Sequence, residues 1–393
     1  MKIRFLLHDV YGRGGGVVTV TLGLAAELAR THDVELVSLL GSNAPPVHPL
    51  PDGVRVRSLV PADEDAEPLP RRLLRRWGSG RPSTLIPPAE PRYRQYDRYT
   101  DLVLRRYLRS VRDGVLVTMQ PGLNIASARH GSAHCIRVAQ DHRPFSGRPR
   151  GLLEAYRQHA AGLDVFLTLT RADAKRFRRM LGDRVVVRAM PNGSPPYDGP
   201  QSSQTSTTVV AAGRLARTKG FDVLVDAWAR VAAVHPDWHL DIWGEGGSRA
   251  ELEAQVARLG LTEQVRLRGF GTELHAEMSR ASIFVLSSRA EGYPRVILEA
   301  MACGLPVVST DCPSGPREMI DSGVDGVLVP VEDPDALGAA INAMIERGPE
   351  GRREMGRAGR ERAEALSQPV VAQRWLKLFR QAAARRKDEA SGS

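Results

Sequence analysis

The chain has 393 residues, 42% of them hydrophobic and 25% charged. That balance excludes an intrinsically disordered protein, and the length exceeds one ordinary core, so two domains are predicted. The formal net charge of +10 rests on arginine, since the lysines are only Lys2, Lys175, Lys219, Lys377 and Lys387. It directs the protein toward anionic partners: nucleotides, phosphorylated acceptors, lipid headgroups or nucleic acid. Cys135, Cys303 and Cys312 are odd in number and stand in apolar or helix-end contexts, which argues against a disulfide framework and predicts reduced thiols. The opening apolar run is interrupted by Arg4 and too short for a signal peptide, and no later segment is long enough to span a bilayer. A cytoplasmic protein, free or peripheral at the inner membrane surface, is expected.

Residues 3–7 read as a short strand running into His8, Asp9, Val10 and Tyr11, then Gly12, Gly14, Gly15 and Gly16, after which Val17, Val20, Leu24 and Leu28 recur at helical spacing. A glycine loop between strand and helix lets backbone approach a phosphate. It is not a dinucleotide fingerprint, because Val17 stands where the third glycine belongs and no matched acid follows; a tight βα turn has the same pattern. Residues 34–40 and 54–59 supply further strands. Residues 61–92 break into Pro, Gly, Ser and charge, an insertion or loop. Within it Asp63-Glu64-Asp65 superficially matches a D-x-D metal triplet, but no strand adjoins it, and no metal site is predicted. Arg71, Arg72, Leu73, Leu74, Arg75, Arg76 and Trp77 form a short basic amphipathic segment that could dock on an anionic membrane or acceptor; a solvated loop is the expectation.

Residues 93–111 read as a helix, 115–118 as a strand and 135–139 as another, ending at Gln140, Asp141, His142 and Arg143. This is the second His, after His8, at the carboxyl end of a strand. Open α/β sheets present ligand-binding groups there, so two such loops count for more than one. Strands at 165–170 and 185–190 lead to Pro191-Asn192-Gly193. Residues 194–208, SPPYDGPQSSQTSTT, have almost nothing to bury and read as a linker between domains at 1–193 and 209–368.

A second strand and glycine turn follow: 209–212, Gly213-Arg214-Leu215, Thr218-Lys219-Gly220-Phe221, then a helix through Leu224 and Trp228. Arg214 and Lys219 flank this turn, where two cations could offset the charge on a departing diphosphate. Strands at 240–243 and 265–267 precede Gly244-Glu245-Gly246 and Gly269-Phe270. The apolar run 283–286 leads into SSRAEGYPRVILEAMACGLP, residues 287–306: a strand end, a Gly-Pro turn and a helix marked by Val296, Ile297, Ala300 and Met301 and closed by Cys303-Gly304. A helix N-terminus at the carboxyl end of a strand is a seat for phosphate. Glu291, in the loop, and Glu299, about two turns along the helix, frame it. Residues 306–309 read as the last strand, 369–384 as a final helix with Trp375 and Phe379, and 385–393 as a disordered tail.

The run E-G-Y-P-x-V-x-L-E-A-M-A-C-G-x-P-V-V, from Glu291 to Val308, resembles the donor-site motif of the retaining glycosyltransferases of family 4. These have the α/β GT-B fold, two Rossmann-like domains facing across an interdomain cleft. The resemblance implies that Glu291 binds hydroxyls of the donor sugar and Glu299 the nucleotide ribose, with Gly292, Tyr293 and Pro294 in the same motif; Tyr293 stands where the family often has Phe. It further implies that Gly15 and Gly16 lie against the donor diphosphate, that His142 contacts the donor sugar, and that Arg214 and Lys219 bind the phosphates. Gly244 and Phe270 would lie near the nucleobase, and the final helix would cross back onto the first domain.

The implied reaction moves a hexosyl or N-acetylhexosaminyl group, a UDP-sugar favoured as donor, to a hydroxyl of an unidentified acceptor. It retains configuration and gives an α-glycosidic bond. His142, Arg214, Lys219 and Glu291 are the catalytic candidates, and no metal or cofactor is expected beyond the nucleotide-sugar co-substrate. Two other readings stand beside it: a GT-B enzyme of another reaction type, such as a non-hydrolysing epimerase, and a basic nucleic-acid or membrane-surface binder without catalysis. The second leaves the glycine loops unexplained, and an aromatic content of 5% shows no stacking platform, so a nucleic-acid partner is not expected.

Overall fold

Short runs rich in Val, Ile and Leu, each closed by a turn, build the strands of a computed structural model. It describes residues 1–12, 15–271 and 273–391, apart from the side chains of residues 389 and 390. Two units emerge: Met1–Gly193 with Gln368–Ser393, and Ser194–Ser367.

The first unit holds strands β1 (Lys2–Asp9), β2 (Asp33–Leu40), β3 (Arg55–Val60), β4 (Val115–Thr118), β5 (Ile136–Asp141), β6 (Val165–Thr168) and β7 (Val186–Ala189). Its helices are α1 (Gly15–Ala29), α2 (Leu69–Gly78), α3 (Arg98–Ser110), α4 (Pro121–His130), α5 (Arg150–His159) and α6 (Arg171–Leu181). The strands pair in parallel in the order β3-β2-β1-β4-β5-β6-β7, so the order reverses between β1 and β4. Both faces are covered. Phe5 and Leu7 of β1 pack with Val18 and Leu22 of α1, while Leu6 packs with Leu104 and Leu108 of α3, which is why the strands read as continuous apolar runs.

The basic segment expected as a solvated loop is instead helix α2. Pro68 and Pro70 start it. Gly78, where a Cβ would come within 2.6 Å of the Tyr99 nitrogen, lets the helix close onto α3. The acidic triplet before it makes a single 3₁₀ turn whose carboxylates face arginines, Asp65 to Arg72 at 2.6 Å and Glu64 to Arg75 at 3.2 Å.

The second unit holds β8 (Thr208–Ala212), β9 (His239–Trp243), β10 (Val265–Gly269), β11 (Ile283–Leu286), β12 (Val307–Thr310) and β13 (Gly326–Val329). Between and after them run α7 (Phe221–Val234), α8 (Arg249–Arg258), α9 (Leu274–Arg280), α10 (Arg295–Ala302), α11 (Pro316–Met319), α12 (Pro334–Glu346) and α13 (Gly348–Ala365). Its parallel sheet runs β10-β9-β8-β11-β12-β13, reversing between β8 and β11. β12 is therefore not the last strand: β13, only four residues long, pairs beyond it through Val307↔Gly326.

The polar stretch expected as a linker belongs to this second unit. Ser202 N donates to the Cys303 carbonyl at 2.9 Å, and Gln204, wholly buried, donates through Nε2 to the Gly304 carbonyl at 2.9 Å. Backbone and amide bonding replaces apolar burial here. Helix α14 (Gln368–Ser391) belongs to the first unit, with Trp375 edge-on to Phe5 at 6.3 Å. It continues to Ser391, into the segment 385–393 expected to be a disordered tail, whose last two residues lie outside the described ones. Arg386 grips Asp164 with bonds of 2.5 and 2.8 Å, which fixes that last part of the helix. Among the described residues, no helix is long and apolar enough to cross a membrane.

Candidate functional site

β8 and β11 are neighbours where the second sheet reverses, so the loops at their carboxyl ends lie side by side, the usual place for a ligand in an open α/β sheet. The first loop makes one 3₁₀ turn over Arg217–Lys219 and reverses at Gly220, with φ 63°. A Cβ there would overlap the Ser287 carbonyl oxygen, so only glycine lets the loops meet. Ser287 Oγ donates to the Lys219 carbonyl at 2.9 Å, and Arg289 N donates to the Thr218 carbonyl at 2.9 Å.

These contacts set Lys219 Nζ 2.5 Å from Glu291 Oε1, which also accepts from Ser288 Oγ at 2.7 Å. The two side chains are 24% and 11% exposed, so the pair is partly shielded from water and its attraction exceeds that of a surface pair. Lys219 has two more ammonium protons, and Glu291 a second oxygen, to offer a ligand. Behind them Arg289 grips Asp222 with two bonds of 2.7 Å and reaches Glu332 as well. The Arg289 hydrogen bonds hold both carboxyls below their usual range and raise the guanidinium. This brace was not visible beforehand: its partners stand 67 and 43 residues away in the chain.

Gly292, Tyr293 and Pro294 form the turn into α10, pinned against Gly315, where a Cβ would sit 2.6 Å from Pro294 Cδ. Glu299, on α10, pairs with Arg295 at 3.3 Å. Arg295 was not singled out in the sequence, although its i,i+4 spacing to Glu299 was a readable signal. Arg214, Gly244 and Phe270 come together in a separate cavity of about 390 Å³, lined also by Trp243, Glu245 and Leu274. That volume suits a small ligand. Phe270 is 80% exposed at this cavity, an apolar ring with an open face. Gly244 has φ 145°, and its Cβ would overlap the Gly213 carbonyl oxygen. Lys219, Glu291 and Glu299 are not part of this cavity's lining.

In the first unit, α1 begins at Gly15, and no described atom outside neighbouring residues lies within 4 Å of where a Cβ would stand at Gly15 or Gly16. Arg13 and Gly14 of the glycine loop lie outside the described residues. His142 follows β5 on a loop anchored by the wholly buried ion pair of Asp141 and Arg148. Tyr156 Oη donates to Asp141 at 3.0 Å, and Arg148 donates to the Arg143 carbonyl at 2.8 Å. Burial pushes the His142 imidazole down to about 4, so it is neutral at pH 7, and its Nε2 has no hydrogen-bond partner. His8, at the end of β1, sits with Nε2 2.6 Å from Gln95 Oε1 and its ring 4.8 Å from that of Tyr96; burial lowers its pKa too. The thiols of Cys303 and Cys312 are pushed up by burial to about 12 and about 11, which keeps them protonated.

Residues 199–362 match the family model described as Glycosyl transferases group 1. Over 397 residues the chain is 33% identical to an exopolysaccharide phosphotransferase of Streptomyces coelicolor, covering 99% of this chain and 41% of that protein. Across three curated relatives that it matches, the chain spans 36% to 52% of their length. Among solved structures, a sucrose-phosphate synthase from Thermosynechococcus elongatus has a TM-score of 0.76 at 20% identity, over 98% of this chain and 100% of that one. Anabaena HepE in complex with UDP gives 0.73 at 20% identity, over 97% and 100%. The two parallel-sheet Rossmann-like domains are thus those of the GT-B fold. The segment that matches the group 1 glycosyltransferases lies within the second unit.

Proposed function

We propose that this protein transfers a hexosyl or N-acetylhexosaminyl group from a nucleoside diphosphate sugar, a UDP-sugar favoured, to a hydroxyl of an acceptor, with retention and an α-glycosidic product. The observation that carries the reading is the Lys219–Glu291 pair, held at 2.5 Å on adjoining loops where the second sheet reverses. The cavity of about 390 Å³ holding Arg214, Gly244 and Phe270 supports it as the seat of the nucleoside. UDP is favoured because the solved Anabaena relative holds UDP.

The acceptor oxygen bonds to the anomeric carbon on the face from which the diphosphate departs. The carbon–oxygen bond to the diphosphate breaks, and the hydroxyl proton passes to the leaving phosphate oxygen. Arg214, Lys219 and the first amides of α10 stabilise the charge that builds there, so the reading calls for no metal. Glu291 and the neutral His142 hold sugar hydroxyls, Glu299 the ribose, and Gly15 and Gly16 approach the diphosphate. The protein acts in the cytoplasm, peripheral to an anionic membrane.

Thermal unfolding against UDP, GDP, ADP and their sugars, first without and then with Mg²⁺, tests this reading. Ligand at about 100 times its Kd adds about 2.7 kcal/mol to the native state, a rise of about 5–10 °C in the transition of the second unit. A shift selective for one nucleotide without metal is expected. No shift with any nucleotide would overturn the reading.

A further inference from the structure

Helix α2 carries its polarity the opposite way from a helix packed on a globular unit. At about 100° per residue, Leu69, Leu73 and Trp77 share one face with Leu74 beside it, and Arg75 and Gly78 point the other way. The face turned to the protein is the polar one. Arg75 lies across the Tyr99 ring, bonded to the Pro61 carbonyl at 3.0 Å and to Glu64 at 3.2 Å, and Gly78 abuts the Tyr99 backbone. The apolar face looks outward, with Leu69 67%, Leu73 60%, Leu74 48% and Trp77 51% exposed. Large apolar side chains scattered singly on a surface need no explanation; four on one short helix do.

The rim of this face is cationic. Arg76 is exposed on the helix beside Leu69, Arg71 is exposed beyond Leu74, and Arg81 lies over the Trp77 ring at 4.7 Å, while Arg72 is paired with Asp65 at 2.6 Å. We propose that α2 is a docking helix that lies flat in the surface of a bilayer containing anionic lipid. Leu69, Leu73, Leu74 and Trp77 enter the acyl boundary while Arg71, Arg76 and Arg81 meet lipid phosphates. Charge complementarity selects this occupant over a second copy of the chain, which would bring the same arginine rim against itself. The inference names the surface behind the membrane contact in the proposed function, and rests on that part of the reading alone.

Flotation of the full chain with vesicles of mixed phosphatidylcholine and phosphatidylglycerol tests it. Binding is expected to weaken on pure phosphatidylcholine and as salt rises. Leu73→Glu combined with Trp77→Glu is expected to lower the partition coefficient about tenfold or more. Trp77→Phe is expected to keep binding while removing a vesicle-induced blue shift in fluorescence. Far-UV circular dichroism and the nucleotide-induced thermal shift, both unchanged in the variants, show that they fold. Should wild type itself show no nucleotide shift, the donor reading fails and the flotation result still stands. The proposal is overturned if wild type does not float, if flotation is indifferent to the double substitution, or if that substitution instead abolishes a dimer in solution.

Discussion

Lys219→Ala removes the cation of the Lys219–Glu291 pair and leaves Glu291, 11% exposed, with the Ser288 hydroxyl on the same oxygen. Two separable losses follow. The partly shielded pair lies between exposed pairs worth about 0–1 kcal/mol and buried ones that cost about 3–5 when broken, so the second unit should lose about 1–2 kcal/mol of stability. A charge-assisted bond to the diphosphate contributes about 1.5–3 kcal/mol, which at about 1.4 per decade lowers kcat/KM about 10- to 150-fold. Adding Glu291→Gln to Lys219→Ala removes the stranded charge and should recover most of the stability but none of the activity. Denaturant unfolding of the single and double variants, with initial rates on the donor, measures both. Additivity of the two substitutions within about 0.5 kcal/mol would refute the reasoning, because residues in contact should couple.

Glu299→Ala should weaken free nucleotide binding by calorimetry, whereas Glu291→Ala should spare it and damage use of the sugar nucleotide; the reverse pattern would exchange their roles. Gly220→Ala forces a side chain into a left-handed conformation costing about 1–2 kcal/mol and into overlap with the Ser287 carbonyl, so the second unit should lose more than about 2 kcal/mol and donor KM should rise. An unchanged melting curve would contradict that. His142 is held near 4 in the folded chain against about 6.5 unfolded, so its neutral, buried form contributes stability above pH 6.5 that is lost as pH falls toward 4. Between pH 7.5 and pH 5 wild type should therefore lose about 1–2 kcal/mol more than His142→Asn, and equal slopes would remove His142 from its buried position.

Much of this was legible from periodicity. The apolar runs closed by glycine turns gave both sheets, and the Glu291-to-Val308 motif led to the loops that carry Lys219 and Glu291. Their contact was not legible from spacing, since 72 residues separate them and only parallel pairing of β8 with β11 brings them together. Composition misjudged residues 194–208 because it weighs apolar burial and is blind to directed bonds such as that of Gln204 to Gly304. It misjudged the chain end for a related reason: a charged run with a single alanine reads as solvated, yet Arg386 finds Asp164 and the helix continues to Ser391. In α2 the amphipathic pattern was plain, but the side turned to the protein depends on Tyr99 and Glu64, which no local pattern reveals.

The two reversal points differ in chemistry in a way that bears on the proposed reaction. In the second sheet the loops at the reversal carry formal charge, a lysine against a glutamate with Arg289 braced behind by Asp222 and Glu332. In the first, His8 stands beside Asp9 at the end of β1, and His142 follows β5, one strand beyond the reversal, next to the Asp141–Arg148 ion pair; burial lowers both imidazoles, and each has a ring nitrogen without a hydrogen-bond partner, Nδ1 of His8 and Nε2 of His142. A diphosphate needs fixed positive charge, which water would otherwise supply by solvation. Sugar and acceptor hydroxyls need hydrogen-bonding groups that do not drag a charge out of water. The charged loops of the second unit fit a donor held there. Their placement also explains why a net charge of +10, spread over the whole chain, could not by itself say where the phosphate goes.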